Sequence, residues 1–216
     1  MKVFYAGGTV GDTYVILCKL YRIAKKEKIL VRHHTSWKSL EPIIREIYAL
    51  LPNISVEFLK DKPLDVQICG GFRYSGWEAE QDKYNLQPEY YPEFELGSIE
   101  HFHLPSEYEI LQRMSGAAGQ RRKISEEDVN GILNNAKFPV IDIGNDKTSI
   151  KEIINIIRNS RHFYGPQGFL SFVAVSQKVS STVFIYNEAD DHAVKARMEA
   201  IEEWKNFLNK IKGWTI

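Results

Sequence analysis

The chain opens on an apolar strand, Lys2-Val3-Phe4-Tyr5-Ala6, that runs straight into Gly7-Gly8-Thr9-Val10-Gly11-Asp12 and then into helical spacing. A buried strand that ends in glycines and turns at once into a helix belongs to a parallel α/β sheet. Glycine lets the backbone approach closely, and the helix returns along one sheet face. The start of such a helix points unpaired N–H groups and its positive dipole end at whatever lies beyond the strand, which favours negative charge. Here the turn itself carries an acid, Asp12. A carboxylate at that place repels a phosphate bound at the same spot. Either Asp12 caps the helix, or it faces an uncharged substrate as a base.

The same rhythm continues. Helical spacing covers residues 14–26, ending in Lys25-Lys26, which suit a helix C-terminus. Residues 28–31 form a short buried strand followed by Arg32-His33-His34, and residues 39–51 a second amphipathic helix stopped by Pro52. Strands follow over 54–59 and 65–69. Strands alternating with helices predict a parallel sheet with right-handed crossovers. Residues 72–105 break the pattern with Tyr74, Trp77, Tyr84, Tyr90, Tyr91, Phe94 and Phe102 among prolines. They read as irregular wall and linker, either packed on the core or offering a binding surface.

The α/β rhythm then restarts. A strand over 107–113 leads to the small-residue loop Ser115-Gly116-Ala117-Ala118-Gly119, and a helix over 125–135 is N-capped by Ser125. A strand over 138–144, a helix over 149–159, a strand over 162–164 and the turn Gly165-Pro166-Gln167-Gly168 come next. A helix over 169–177, a strand over 182–186 and a long charged amphipathic helix over 189–211 complete the chain. The expected fold is α/β in two Rossmann-like lobes, residues 1–105 and 106–216. Their parallel sheets should face a shared cleft, with the last helix packing back toward the first lobe.

Composition excludes several classes. At 216 residues and 44% hydrophobic, the chain can fill a core in one large domain or two compact lobes. Lys+Arg and Asp+Glu balance at 28 each, so no global field recruits nucleic acid or membrane. Cys18 and Cys69 sit in apolar contexts and read as buried thiols in a reducing compartment. Met1 leads directly into a strand and no apolar run is long enough to span a bilayer, so a soluble, cytoplasmic protein is expected.

Three turns carry candidate chemistry. The first lacks the G-x-G-x-x-G spacing of a dinucleotide site, and the second strand ends in Arg32-His33-His34 rather than in an acid for a ribose. No Walker lysine follows it. The second, Ser115 through Gly119 with Gln120-Arg121-Arg122-Lys123, is a diphosphate clamp or a solvated basic loop. The third, Gly165 to Gly168, offers a helix N-terminus to phosphate or is a tight turn only. All three fall at carboxyl ends of strands, where open parallel sheets bind ligands. His101-x-His103 has metal-pair spacing without a third ligand, and there is no Asp-x-Asp, so no metal is expected.

Four stretches resemble the GT-B glycosyltransferases of the lipopolysaccharide heptosyltransferase type, glycosyltransferase family nine. Gly7-Gly8-Thr9-Val10-Gly11-Asp12 looks like that family's N-terminal glycine-aspartate loop. Arg122-Lys123-Ile124-Ser125 with Glu127 looks like its Lys-Arg-Trp-Pro-x-Glu segment. Lys147-Thr148-Ser149-Ile150-Lys151-Glu152-Ile153 resembles the stretch before its penultimate helix. Tyr164-Gly165-Pro166-Gln167-Gly168-Phe169-Leu170-Ser171 sits where the family has Asp-Ser/Thr-Gly-x-x-His.

The resemblance implies metal-independent transfer of a sugar from a nucleotide-sugar donor to a hydroxyl acceptor, with no cofactor besides that donor. Asp12 would be the base, and Gly8, Thr9 and Gly11 the acceptor-side loop. Ser115, Gly116, Arg121, Arg122, Gly165, Gln167, Gly168 and Ser171 would form the donor side. Pro166 stands where the family has an acid, Ser171 where it has a histidine, Arg122 for lysine and Ile124 for tryptophan, and the first lobe is shorter. Two alternatives therefore stand beside this reading: a catalytically silent nucleotide- or sugar-binding relative, and an unrelated doubly wound nucleotide-dependent enzyme. The expected partners are the donor and a sugar acceptor of glycan or lipopolysaccharide type, not nucleic acid. Any membrane contact is expected to be peripheral and to come through the acceptor.

Overall fold

The structure, a computed structural model, describes residues 1–62, 68–69, 86, 88–115, 122–143 and 148–184. Outside the described residues lie Gly116, Arg121, Lys147 and the helix expected over 189–211. So do most of the aromatic stretch before residue 86 and the side chains of Cys69, His101 and Arg122. The described residues fall into two compact units that meet in sequence between Phe94 and Glu95.

The first unit is built on β1 (Lys2–Gly7), α1 (Val10–Ala24), β2 (Ile29–His34), α2 (Glu41–Tyr48), β3 (Ile54–Leu59) and β4 (Ile68–Cys69). The strands form one sheet in the order β3-β2-β1-β4, parallel throughout. One face of β1 and β2 buries Phe4, Ala6, Ile29, Val31 and His33, and α1 and α2 add Tyr14, Ile16, Leu17, Leu20, Ile44, Ile47 and Tyr48 to the same core. Each large apolar side chain so enclosed contributes about 1.5–3 kcal/mol. α1 is buried well beyond a single stripe, because part of the irregular aromatic stretch lies along it. Glu89 N–H donates to the Cys18 carbonyl at 2.9 Å, and the buried Phe94 ring meets Tyr14 and Tyr21 edge-on at 6.2 Å. That part of the stretch is therefore packing. Burial pushes the Cys18 thiol pKa far up and keeps it protonated and inert.

The second unit contains β5 (Glu109–Leu111), the pair β6 (Met114–Ser115) and β7 (Arg122–Lys123), α3 (Glu126–Asn135), β8 (Val140–Asp142), α4 (Ile150–Arg158), β9 (His162–Pro166), α5 (Phe169–Ser176) and β10 (Ser181–Phe184). Its sheet runs β10-β9-β5-β8, again all parallel. Leu111, Ile124, Val129 and Ile132 form a core with Val140, Tyr164 and Phe184. Ile110 and Phe163, one residue out of phase on the same strands, are fully buried on the opposite face. α3 and α4 start where their serines place them: Ser125 accepts from Asp128 N–H and Ser149 from Glu152 N–H. No helix of the described residues is long and apolar enough to cross a membrane.

Several expectations are corrected. α1 begins at Val10 rather than residue 14, because Thr9 and Asp12 start the helix and Gly11 is simply carried within its first turn. β2 continues through Arg32-His33-His34. The helix expected over 39–51 is a short 3-10 turn, Lys38–Leu40, followed by α2, since Pro42 is tolerated only in a first turn. Ser115 lies in an antiparallel pair with Arg122, not in a loop. Gly165 and Pro166 extend β9, so the turn reduces to Gln167-Gly168.

Gly165 is needed for packing. A Cβ there would lie 2.5 Å from Phe163 Cζ and 3.3 Å from Gln112 Cβ. Gly165→Ala is expected to cost about 1–3 kcal/mol in a urea denaturation curve by overpacking. Unchanged stability would contradict the placement of Gly165 inside β9.

Candidate functional site

At the end of β1 the chain needs a conformation that only glycine adopts cheaply. Gly8 has φ +121°, and a Cβ on it would lie 2.6 Å from Asp12 Cβ. Its peptide groups are fixed from β2. Gly8 N–H donates to the His34 carbonyl at 3.2 Å, and the Gly8 carbonyl lies 3.3 Å from His33 Nε2. A carbonyl can only accept, so Nε2 carries the proton, and Nδ1 accepts from the Tyr48 hydroxyl at 3.0 Å. His33 is fully buried between Tyr48 and Phe58, both edge-on to its ring. Burial lowers its pKa to about 4, opposed by the Gly8 bond and assisted by the neighbouring His34.

The fixed loop then presents Asp12. Its Oδ2 accepts from Thr9 N–H at 2.9 Å and from Thr9 Oγ1 at 3.0 Å, while Thr13 N–H and Oγ1 donate to the Thr9 carbonyl. Asp12 therefore caps α1, and it does so at the lip of a cavity of about 290 Å³. Gly8, Thr9, Asp12, His34, Ser36, Trp37 and Lys62 line that cavity. These residues follow the carboxyl ends of β1, β2 and β3. In the order β3-β2-β1-β4 the chain leaves β1 on one side and returns on the other, so β1 borders the switch point where open sheets bind ligands. The volume sits at the small end of ligand sites, near roughly 300 Å³.

In the second unit the switch point lies between β5 and β9, and Ser115, Gln167, Gly168 and Ser171 of the expected donor residues lie together at its carboxyl edge. Ser115 Oγ donates to the Gln167 carbonyl at 2.9 Å, and a Cβ on Gly168 would sit 3.0 Å from Ser115 Cβ and Oγ. Ser171 is fully buried: its Oγ accepts from Gly168 N–H and donates to the Gly168 carbonyl. Ser115, Gln167, Gly168 and Ser171 thus form one hydrogen-bonded turn at the start of α5, with Gly165 behind it in β9. Gly116, Arg121 and the Arg122 side chain fall outside the described residues.

The sequence reading placed Gly8, Thr9, Gly11 and Asp12 in one loop but missed His33, His34, Ser36, Trp37, Tyr48 and Lys62. His33 was signalled by phase, since Ile29, Val31 and His33 alternate onto the buried face of β2. Trp37 and Lys62 carry no local signal, because only the sheet order brings the ends of β2 and β3 beside β1.

No protein-family model matches this chain, and no curated protein matches it. Among solved structures it is similar to the iron-containing dodecameric glycosyltransferase TibC from enterotoxigenic E. coli. The TM-score is 0.50 and the identity 14%, over 84% of this chain and 57% of TibC. It is also similar to the iron-containing dodecameric heptosyltransferase TibC in complex with ADP-D-β-D-heptose, with TM-score 0.48 and 13% identity, over 85% of this chain and 58% of that one. The chain thus spans under two thirds of the length of either. At such identity the likeness is one of fold. Among the described residues no three His, Cys, Asp or Glu side chains are grouped as a metal site requires.

Two outcomes follow from the loop geometry. Gly8→Ala combines an unfavourable φ with a clash at Asp12 and should cost about 1–3 kcal/mol in denaturant, more than alanine at an open glycine such as Gly131. His33 has a folded pKa below its ordinary 6.5, so the unfolded chain binds the proton first. Its contribution is complete above about pH 6.5 and is lost as pH falls toward 4, on the order of 3 kcal/mol in all. Denaturation at pH 7 and pH 5 should show a shallower acid loss in His33→Gln than in the wild type. Equal slopes would mean that His33 is not held neutral by the fold.

Proposed function

We propose that this chain is a metal-independent glycosyltransferase of GT-B type. The first unit would serve as the acceptor lobe and the second as the nucleotide-sugar lobe. The observation that carries the reading is the Asp12 carboxylate at the carboxyl end of β1. One of its oxygens is committed to the Thr9 cap, and the side chain lines a cavity large enough for one small polar ligand. Asp12 deprotonates an acceptor hydroxyl as it attacks the anomeric carbon of the donor, and the bond to the nucleotide phosphate breaks. General-base help of this kind is typically worth about 10²–10⁴-fold. The likeness of fold to a glycosyltransferase supports the reading at the level of architecture.

On the donor side, the start of α5 at Gln167-Gly168 and the basic stretch at Arg121 and Arg122 would stabilise the departing nucleotide electrostatically. A lipopolysaccharide-type acceptor and a cytoplasmic site of action belong to the same proposal. One observation favours a second reading, sugar binding without transfer. Ser171, where the resemblance has a histidine, is fully buried and spends its hydroxyl on the α5 cap. Its only proton is therefore spent inside the turn and is not available to the donor.

Asp12→Asn separates the readings. Asparagine keeps a carbonyl oxygen for the Thr9 amide and hydroxyl, so the cap and the melting temperature should be nearly unchanged. Its amide cannot take a proton, so sugar transfer should fall by about a hundredfold or more while donor binding persists. A melt and a transfer assay on the same variant measure both. Full activity in Asp12→Asn would end the catalytic assignment.

A further inference from the structure

The cavity beside β1 has a lining of two unlike kinds. Asp12, Thr9, Ser36, His34 and Lys62 are polar or charged, whereas Trp37 is a broad apolar surface left 42% exposed. That exposure is held in place. Trp37 N–H donates to Thr35 Oγ1 at 3.3 Å, and its carbonyl accepts from Leu40 N–H at 2.9 Å, so the indole stands on a loop fixed at both of its peptide groups. Burying an indole normally contributes a large apolar area to stability. Here much of that area is instead kept at the mouth of a cavity whose remaining lining is polar.

We infer that Trp37 is a stacking platform for a neutral sugar ring, and that the cavity binds a glycoside by one ring face and its hydroxyls. Three ligand classes fit less well. A phosphate would find one cation in the lining, Lys62, but the Asp12 carboxylate already sits on the Thr9 amide at the N-terminus of α1, and a second anion would meet it at close range. An apolar ligand would strand the hydroxyl and carboxylate groups of the lining without water. A short peptide hydroxyl would reach Asp12 but leave the indole uncovered.

A pyranose satisfies both kinds of lining. The C–H bonds of its flatter face carry partial positive charge toward the negative π face of the indole. Its hydroxyls, directed outward from the ring edge, can donate to Asp12 and exchange hydrogen bonds with Ser36 and His34. This deepens the acceptor assignment proposed above and rests on it for the role of the site. The binding itself needs no donor and no turnover.

The test uses the full chain labelled with 5-fluorotryptophan, in which the Trp37 signal is identified among the four tryptophans by its loss in Trp37→Phe. Methyl glycosides of glucose, galactose and mannose are titrated in turn, then inorganic phosphate and a serine-containing peptide. At least one glycoside is expected to shift the Trp37 signal saturably while the other tryptophan signals stay put, and neither phosphate nor peptide should do so. Trp37→Ala should weaken that glycoside about tenfold or more, and Trp37→Tyr should retain most of the affinity, because a flat π face remains. The side chain is substantially exposed, so neither variant endangers the fold. No glycoside response, a response to phosphate or peptide instead, or equal affinity in Trp37→Ala would overturn the platform. A saturable Trp37 shift in a protein that transfers no sugar would uphold the platform and remove the transferase reading.

Discussion

The Gly8 peptide, clasped by the last two residues of β2, is the constraint on which the candidate site depends. The His34 carbonyl accepts from the Gly8 N–H and His33 Nε2–H donates to the Gly8 carbonyl, so the turn after β1 is fastened to the neighbouring strand on both sides. The positive φ that this demands excludes a side chain, and the space so left is where Asp12 folds back onto Thr9. The cap, the start of α1 and the lip of the cavity are therefore one structure. Tyr48 completes it from α2, its hydroxyl donating to the His33 Nδ1 that the Gly8 carbonyl leaves unprotonated. A fully buried imidazole is costly to protonate, and the loop inherits that sensitivity to acid.

The two sheets solve the same problem with different strand orders. In β3-β2-β1-β4 the switch point borders β1, whereas in β10-β9-β5-β8 it lies between β5 and β9. At each, the chain passes from strand to helix through glycine and hydroxyl residues, because a close turn needs small residues and a helix start needs a cap. The same groups serve structure and site. Thr9 and Asp12 cap α1 while lining the cavity, and Ser171 caps α5 with its hydroxyl proton already given to the Gly168 carbonyl. A resemblance carried by such residues is ambiguous for a physical reason: capping chemistry and ligand chemistry select the same side chains.

Much of the fold was legible in the sequence. β3 falls on residues 54–59 as read, Ser125 caps its helix as read, and all pairings within the two four-stranded sheets are parallel. These features rest on local signals: period, caps and alternation. What went astray was decided by tertiary contact. Gly165 and Pro166 look like a turn, yet β10 pairs with them and Phe163 fills the space of the missing side chain. Ser115 looks like loop, yet it pairs across to Arg122. The acid of the candidate site was visible because it sits in a strand-turn-helix word. Its companions Trp37 and Lys62 were not, because they become neighbours of Asp12 only through the order of the strands.

The central claim is that this chain moves a sugar from a nucleotide to a hydroxyl, and release of the nucleotide tests it most directly. The full chain would be incubated with UDP-, GDP-, ADP- and CMP-sugars, each with and without the glycoside acceptors. Freed nucleotide and glycosylated product would be followed by mass spectrometry. The account predicts that one donor class releases its nucleotide in step with product, and only when acceptor is present. The same donor should stabilise the protein against heat, by about 2.7 kcal/mol at a hundred times its dissociation constant. No release and no stabilisation with any donor would contradict it.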